Sequence, residues 1–298
     1  MSNCQEFLKL ESRNYIWNSD FLRLMVQRLC LDNCQDILEV GCGMGHWSEQ
    51  LVKNLSAHAN FTFCDVDPSW IQAIEQKFST YENSKMYKFC PANATNLIFD
   101  DGTFDLYTCQ AVYLHLANIN QAICEAKRVL KPKGKIILVE PENFKNYFMY
   151  DNLIKDRQVD DINNIAAFWQ YVDRGKISQG QGNNSPCSSI VFTLVKNDFT
   201  NLQVFQNDKV KAIYPPYETN ECRIFIDELN NYHNKIQDKN QIAILNQQFI
   251  LGGGLRDKFE IMLNSVIADI NRCLSAIANK TYVCINGLNL NLIYAQKE

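Results

Sequence analysis

No apolar run in the 298 residues approaches the roughly 20 that cross a bilayer; runs such as Ile136-Ile137-Leu138-Val139 are far shorter, so no membrane span is expected. A basic excess is also missing. Lys+Arg 29 against Asp+Glu 33 leaves a net charge of −4, so no global positive field is present to hold a polyanion, and nucleic acid is not expected as a partner. Histidine is scarce, with His46, His58, His115 and His233 making the total of 4. The 12 cysteines contain no CxxC pair; Cys30 and Cys34 come nearest to one. This reads as reduced, mostly buried thiols, with no disulfide framework and no metal site. The opening MSNCQEFLKLESRNY has neither the basic nor the apolar region of a signal peptide, and the expected location is cytoplasmic.

What is there is enough for a full core: 46% apolar residues and 21% charged. Residues 1–35 read as a helical cap, with Phe7, Leu8, Leu10 and then Phe21, Leu22, Leu24, Met25, Leu29 at three-to-four spacing. From residue 36 the period changes. Short apolar strands at 36–40, 61–64, 86–89, 104–109 and 135–140 alternate with helices near 47–55, after Pro68, and at 119–130, the last stopped by Lys131-Pro132-Lys133-Gly134. This rhythm predicts βαβ units and a doubly wound, mainly parallel α/β sheet over 36–142. An aromatic tract at 143–185, with Phe144, Tyr147, Phe148, Tyr150, Phe168, Trp169 and Tyr171, reads as a lid insertion. Residues 186–212 return to the core with a helix and a strand. Residues 213–280 form a helical insertion broken at Gly252-Gly253-Gly254, read as an interhelical turn, and 281–298 supply a late antiparallel strand.

The chemistry starts at Glu39-Val40-Gly41-Cys42-Gly43-Met44-Gly45, between the first strand and its helix. Glycines there let the backbone approach a ligand without Cβ collisions, and the helix N-terminus adds N–H donors. The spacing is GxGxG, not the GxGxxG of dinucleotide sites, and an acid precedes it. A carboxylate on that side repels a pyrophosphate and suits an ammonium or sulfonium group. Asp65 ends the second strand, where a carboxylate accepts from ribose hydroxyls; Asp67-Pro68 offers a separate helix cap. Val66 is placed to lie against an adenine face. Asn93 and Ala94 follow the third strand, where a side-chain oxygen and a backbone N–H suit the adenine edge. Gln110, just beyond the fourth, offers a backbone carbonyl to an ammonium group.

The segments DILEVGCGMG, FCDVDPSWI, ANATNLIFDDGTFDLYTCQAVYLHL and EAKRVLKPKGKIILVEPE, in this order, resemble the class I S-adenosylmethionine-dependent methyltransferases, in particular the small-molecule branch with a Leu-His pair after strand four. The resemblance covers about residues 36–142. It implies a Rossmann-like seven-stranded sheet and S-adenosyl-L-methionine as cofactor, with S-adenosyl-L-homocysteine as product. It places Glu39, Gly41, Cys42, Gly43, Gly45, Asp65, Val66, Asn93, Ala94 and Gln110 around the cofactor. Asn93 stands where the family more often has Asp.

Methyl transfer to O, N or C needs little covalent help, so a general base is optional. His115 follows strand four and is the candidate for orienting or deprotonating the acceptor. Glu140 and Glu142 bracket Pro141 at the end of strand five and offer charge to a cationic acceptor. Tyr15, Glu140 and Trp169 are the candidate substrate contacts, with Trp17 beside Tyr15 on the N-terminal segment. Tyr214-Pro215-Pro216-Tyr217 is similar to an amino-methyltransferase signature but lies far downstream of strand four, and reads as a turn. The expected partner is a small molecule, and the expected assembly a monomer or homodimer. A non-catalytic cofactor-binding protein, a protein methyltransferase and a nicotinamide oxidoreductase stay open as alternatives, the last disfavoured by Glu39 and GxGxG.

Overall fold

A computed structural model describes residues 16–81, 86–147, 151–287 and 289–298. The expected helical positions Phe7, Leu8 and Leu10, and the candidates Tyr15, Phe148 and Tyr150, lie outside the described residues. In chain order the elements begin with α1 (Ser19–Arg28), β1 (Asp36–Val40), α2 (His46–Asn54), β2 (Asn60–Asp65), α3 (Pro68–Phe78) and β3 (Tyr87–Pro91). They continue with β4 (Phe104–Gln110), α4 (Ile119–Val129), β5 (Leu130–Pro141), α5 (Val159–Ser178), α6 (Cys187–Lys196) and β6 (Phe199–Gln206). The last are β7 (Lys211–Ile213), α7 (Asn220–Lys235), α8 (Lys239–Leu251), α9 (Arg256–Ala278), β8 (Cys284–Asn286) and β9 (Leu290–Lys297).

The chain divides into two compact units. The first combines residues 1–142, 185–208 and 290–298, and the second residues 143–184 and 209–289. The first unit holds a seven-stranded sheet in the order β3-β2-β1-β4-β5-β9-β6. Strands β1 to β5 are parallel, and β9 is antiparallel to both β5 and β6. The interior strand β1 carries apolar Ile37, Leu38 and Val40 because both its faces are covered, and Ile37 and Leu38 have no exposed surface, while its Glu39 is buried as well. Helix α3 starts where the sequence says it should: Asp67 Oδ1 accepts from the Ser69 N–H at 2.8 Å and Pro68 takes the first turn.

One local expectation is corrected. Lys131-Pro132-Lys133-Gly134 does not separate α4 from a strand beginning at 135; β5 already begins at Leu130. Phe104 pairs with Leu130 and Leu106 with Lys135, so a bulge takes up the extra residues within the ladder.

In the second unit α5 packs on α8 and α9 around Phe168, Phe249 and Phe259, whose ring centroids lie 5.4–5.8 Å apart. The helices α5 and α8 meet backbone to backbone. A Cβ on Gly252 would stand 1.8 Å from the Tyr171 carbonyl oxygen, so only glycine fits that approach, and the Gly252-Gly253-Gly254 run also turns the chain into α9. The boundaries of the second unit differ from the sequence reading. Residues 209–212 and 281–289 belong here and not with the sheet, because β7 pairs antiparallel with β8. Helix α9 is, by length and composition, apolar enough to cross a bilayer, which the short-run reading of the sequence did not anticipate. Its Phe259, Leu263, Val266 and Ile270 are buried within the unit, and its Asp269 is ion-paired with Arg157 at 2.6 Å.

Candidate active site

Parallel neighbours end at one edge of a sheet, and the carboxyl ends of β1 to β4 place the 39–45 loop, Asp65, Asn93 and the 110–115 turn along that edge. The loop is pinned from below: the Gly41 and Cys42 N–H groups donate to the Cys64 carbonyl at 2.7 and 3.0 Å. Gly41 has φ +70°, and a Cβ there would meet Val112 Cγ2 at 2.3 Å. Gly43, at φ +48°, has only open space where a Cβ would point. The Lys77 ammonium donates to the Met44 carbonyl at 3.0 Å and pairs with Glu49 at 2.9 Å. The buried Trp47 indole N–H donates to Thr108 Oγ1 at 2.9 Å, tying α2 to β4. Gly45 is the N-cap of α2, and no side chain caps that helix end.

Glu39 sits beneath the loop with 1% exposure. Its Oε2 is buried and has no hydrogen-bond partner. Burial first, and the charge of Asp65 second, push its carboxyl up to about 8 against the pull of the Ser48 hydroxyl. A desolvated carboxylate oxygen with no donor is costly, and a cation or N–H group brought by a ligand is what it lacks. Asp65 binds the loop itself: Oδ2 accepts from the Gly43 N–H and Oδ1 from the Asp67 N–H, both at 3.0 Å. Each oxygen retains a second lone pair for a hydroxyl. Val66 beside it is 69% exposed, and Ala94 is buried. The Cys42 thiol is buried and desolvation raises its pKa strongly, which leaves it a packing residue and not a nucleophile.

Two expected roles are corrected. Asn93 Oδ1 accepts from both the Thr95 N–H and the Thr95 hydroxyl at 2.9 Å, so the oxygen is taken up in a local turn and is not reserved for an adenine amine. Glu140 is fully buried and does not present its charge to an acceptor. Its Oε1 accepts from the Val112 and Tyr113 N–H groups at 2.8 and 2.7 Å, and its Oε2 from Leu114 at 3.2 Å. Burial outweighs these bonds and raises the carboxyl to about 7. Glu140 therefore shapes the turn after β4. Gln110 ends β4 half-buried, Ala111 turns the chain at φ +56°, and His115 lies exposed at the end of the Tyr113–His115 turn.

Sequence reasoning missed the pair that anchors the loop after Asn93. Arg128 donates to the Leu97 and Phe99 carbonyls at 3.0 and 2.7 Å and pairs with Glu125 and Asp101, while Glu125 accepts from the Leu97 N–H at 2.7 Å. The signal was present as an acid and an arginine three apart on α4. Trp169 belongs to the second unit, where it stacks edge-on to Phe168 at 5.0 Å and lines a cavity of about 430 Å³.

Residues 38–138 match the family model described as a methyltransferase domain. The chain is 31% identical over 139 residues to the ubiquinone/menaquinone biosynthesis C-methyltransferase UbiE of Rickettsia typhi, covering 46% of this chain and 54% of that protein. It is 27% identical over 231 residues to the highly reducing polyketide synthase PKS6 of Gibberella zeae, covering 74% of this chain and 8% of the synthase. The chain thus spans about half the length of one curated relative and a small part of the other. Among solved structures, the YcgJ protein of Bacillus subtilis superposes with a TM-score of 0.50 at 16% identity, over 94% of this chain and 99% of that one, a likeness of fold.

Proposed function

We propose that this chain, whose residues 38–138 match the model of a methyltransferase domain, is a class I S-adenosylmethionine-dependent methyltransferase that moves a methyl group to an O, N or C atom of a small molecule in the cytoplasm. The observation that carries this is the buried, partnerless Glu39 Oε2 under an open glycine loop. The residues present fit the cofactor: Glu39 offers charge to its ammonium end, Asp65 to its ribose hydroxyls, and the 41–45 backbone closes around it. When bound, S-adenosylmethionine supplies an electrophilic methyl on a sulfonium.

The chain's own task is positioning. The turn set by Glu140 presents the Gln110 carbonyl and His115 at the edge where the acceptor must sit. His115 orients the acceptor or takes its proton, and no covalent intermediate on the protein is needed.

The test is incubation of the full chain with methyl-labelled S-adenosylmethionine and a panel of phenols, enols and amines. Homocysteine-nucleoside release with label in an acceptor is the expected result. Tight binding without release across the panel would point to a binding protein, and label recovered in added protein to a protein methyltransferase; either outcome overturns the proposal.

A further inference from the structure

The second unit carries a cavity of about 430 Å³, open on one side, formed by α5, α7 and α9 together with residues 143, 157 and 184. That volume falls within the roughly 300–1,000 Å³ typical of small-molecule sites. One wall is apolar, formed by Ile165, Trp169, Leu229 and Ile270. The other end is polar, and the charges there are closed on one another. The Arg157 side chain, 3% exposed, pairs with Asp151 at 2.5 Å and with Asp269 at 2.6 Å, and Asp269 also pairs with Arg272 at 3.2 Å. Two guanidinium groups thus meet two carboxylates.

The amide donors of the lining are committed too. Asn143 Nδ2 donates to the Asn184 carbonyl at 2.9 Å, and the Asn184 side chain bridges Lys176 and Asp173 at 2.6 and 2.5 Å. Among the described residues two groups of the lining are left over, the Asn143 Oδ1, an acceptor, and the Tyr232 hydroxyl. Tyr232 lines the cavity beside Trp169, with ring centroids 5.9 Å apart. Its hydroxyl makes no hydrogen bond among the described residues, and burial alone raises its pKa.

A cavity with no uncompensated charge rejects ions, because a charged guest leaves water without gaining a counter-ion. A lone hydroxyl in an apolar wall selects a guest with one group to match it. We propose that this cavity is a binding site for a neutral small molecule with an apolar, ring-bearing body and one hydroxyl or carbonyl that hydrogen-bonds to Tyr232.

The experiment is calorimetric titration of the full chain with three probes that share one ring system: 1-naphthol, 1-naphthoate and 1-naphthylmethylammonium. S-adenosylhomocysteine is titrated separately. Naphthol is expected to bind, with each ion at least roughly tenfold weaker, as an uncompensated charge requires. Leu229→Trp, which fills the cavity, should abolish naphthol binding and leave S-adenosylhomocysteine affinity unchanged. Tyr232→Phe should weaken naphthol binding by about fivefold to tenfold, the worth of one hydrogen bond, and serves if Leu229→Trp fails to fold. Equal binding of the three probes, no binding of naphthol, or naphthol binding untouched by both substitutions would overturn the assignment. Naphthol binding with this pattern but no S-adenosylhomocysteine binding would sink the methyltransferase reading and leave the cavity site standing.

Discussion

The Glu140 carboxylate accepts the Tyr113 N–H at 2.7 Å, and with it the N–H groups of Val112 and Leu114. One buried side chain on β5 thus satisfies three successive donors just past β4, immediately before His115. Truncation should be expensive. Glu140→Ala strands those donors in a buried turn, at about 1–3 kcal/mol for an unsatisfied group, so the expected total loss is at least about 3 kcal/mol in a denaturant titration. Glu140→Gln keeps one carbonyl oxygen and should recover part of it. An alanine variant of wild-type stability would show that the turn is held by other means.

The pH dependence follows from two buried carboxyls. Glu39 is raised to about 8 and Glu140 to about 7, both foremost by burial, from the ordinary 4.5. The folded chain therefore binds more protons than the unfolded one between these values, and stability falls as pH rises through that window. The ligand-free protein should melt at a higher temperature near pH 5.5 than near pH 8.5. A bound ammonium beside Glu39 reverses its preference. S-adenosylhomocysteine affinity should rise between about pH 6 and pH 8 with proton release, read by calorimetry in buffers of different ionisation enthalpy. Glu39→Gln should flatten that dependence.

Asp65 both closes the loop through Gly43 and faces the expected ribose. Asp65→Ala should weaken S-adenosylhomocysteine binding by about tenfold or more, because two hydroxyls lose a charged acceptor. Asp65→Asn should fall between the two, since one carbonyl oxygen remains. Unchanged affinity in the alanine variant would place the cofactor elsewhere.

The parallel core was legible because hydrophobic period and glycine position are local signals: the change of period at residue 36, the Glu39-to-Gly45 loop, and the Asp67-Pro68 cap all appear where the spacing put them. The role of Glu140 was not legible. It depends on which β4 residues lie beside β5, and the same acid-Pro-acid string also suits a binding site. Asn93 is the opposite case, since Thr95 two positions on is itself a local signal for a side-chain turn. The β7–β8 pairing joins residues far apart in sequence, which no periodicity reveals.

Two glycines of the loop should respond differently to the same change. Gly41→Ala meets Val112 at 2.3 Å as well as an unfavourable φ, and should lose both stability and cofactor binding. Gly43→Ala has room and carries only the strain of its positive φ, about 1 kcal/mol. A thermal melt of each variant separates them, and equal losses would contradict the packing of Val112 against Gly41.

The most direct measurement is calorimetric titration of the dialysed full chain with S-adenosylhomocysteine, with NADH as control and Asp65→Ala in parallel. Micromolar binding of the first, none of NADH, and loss of binding in the variant is the result the account predicts. NADH binding, or no S-adenosylhomocysteine binding by the folded wild-type chain, would contradict it.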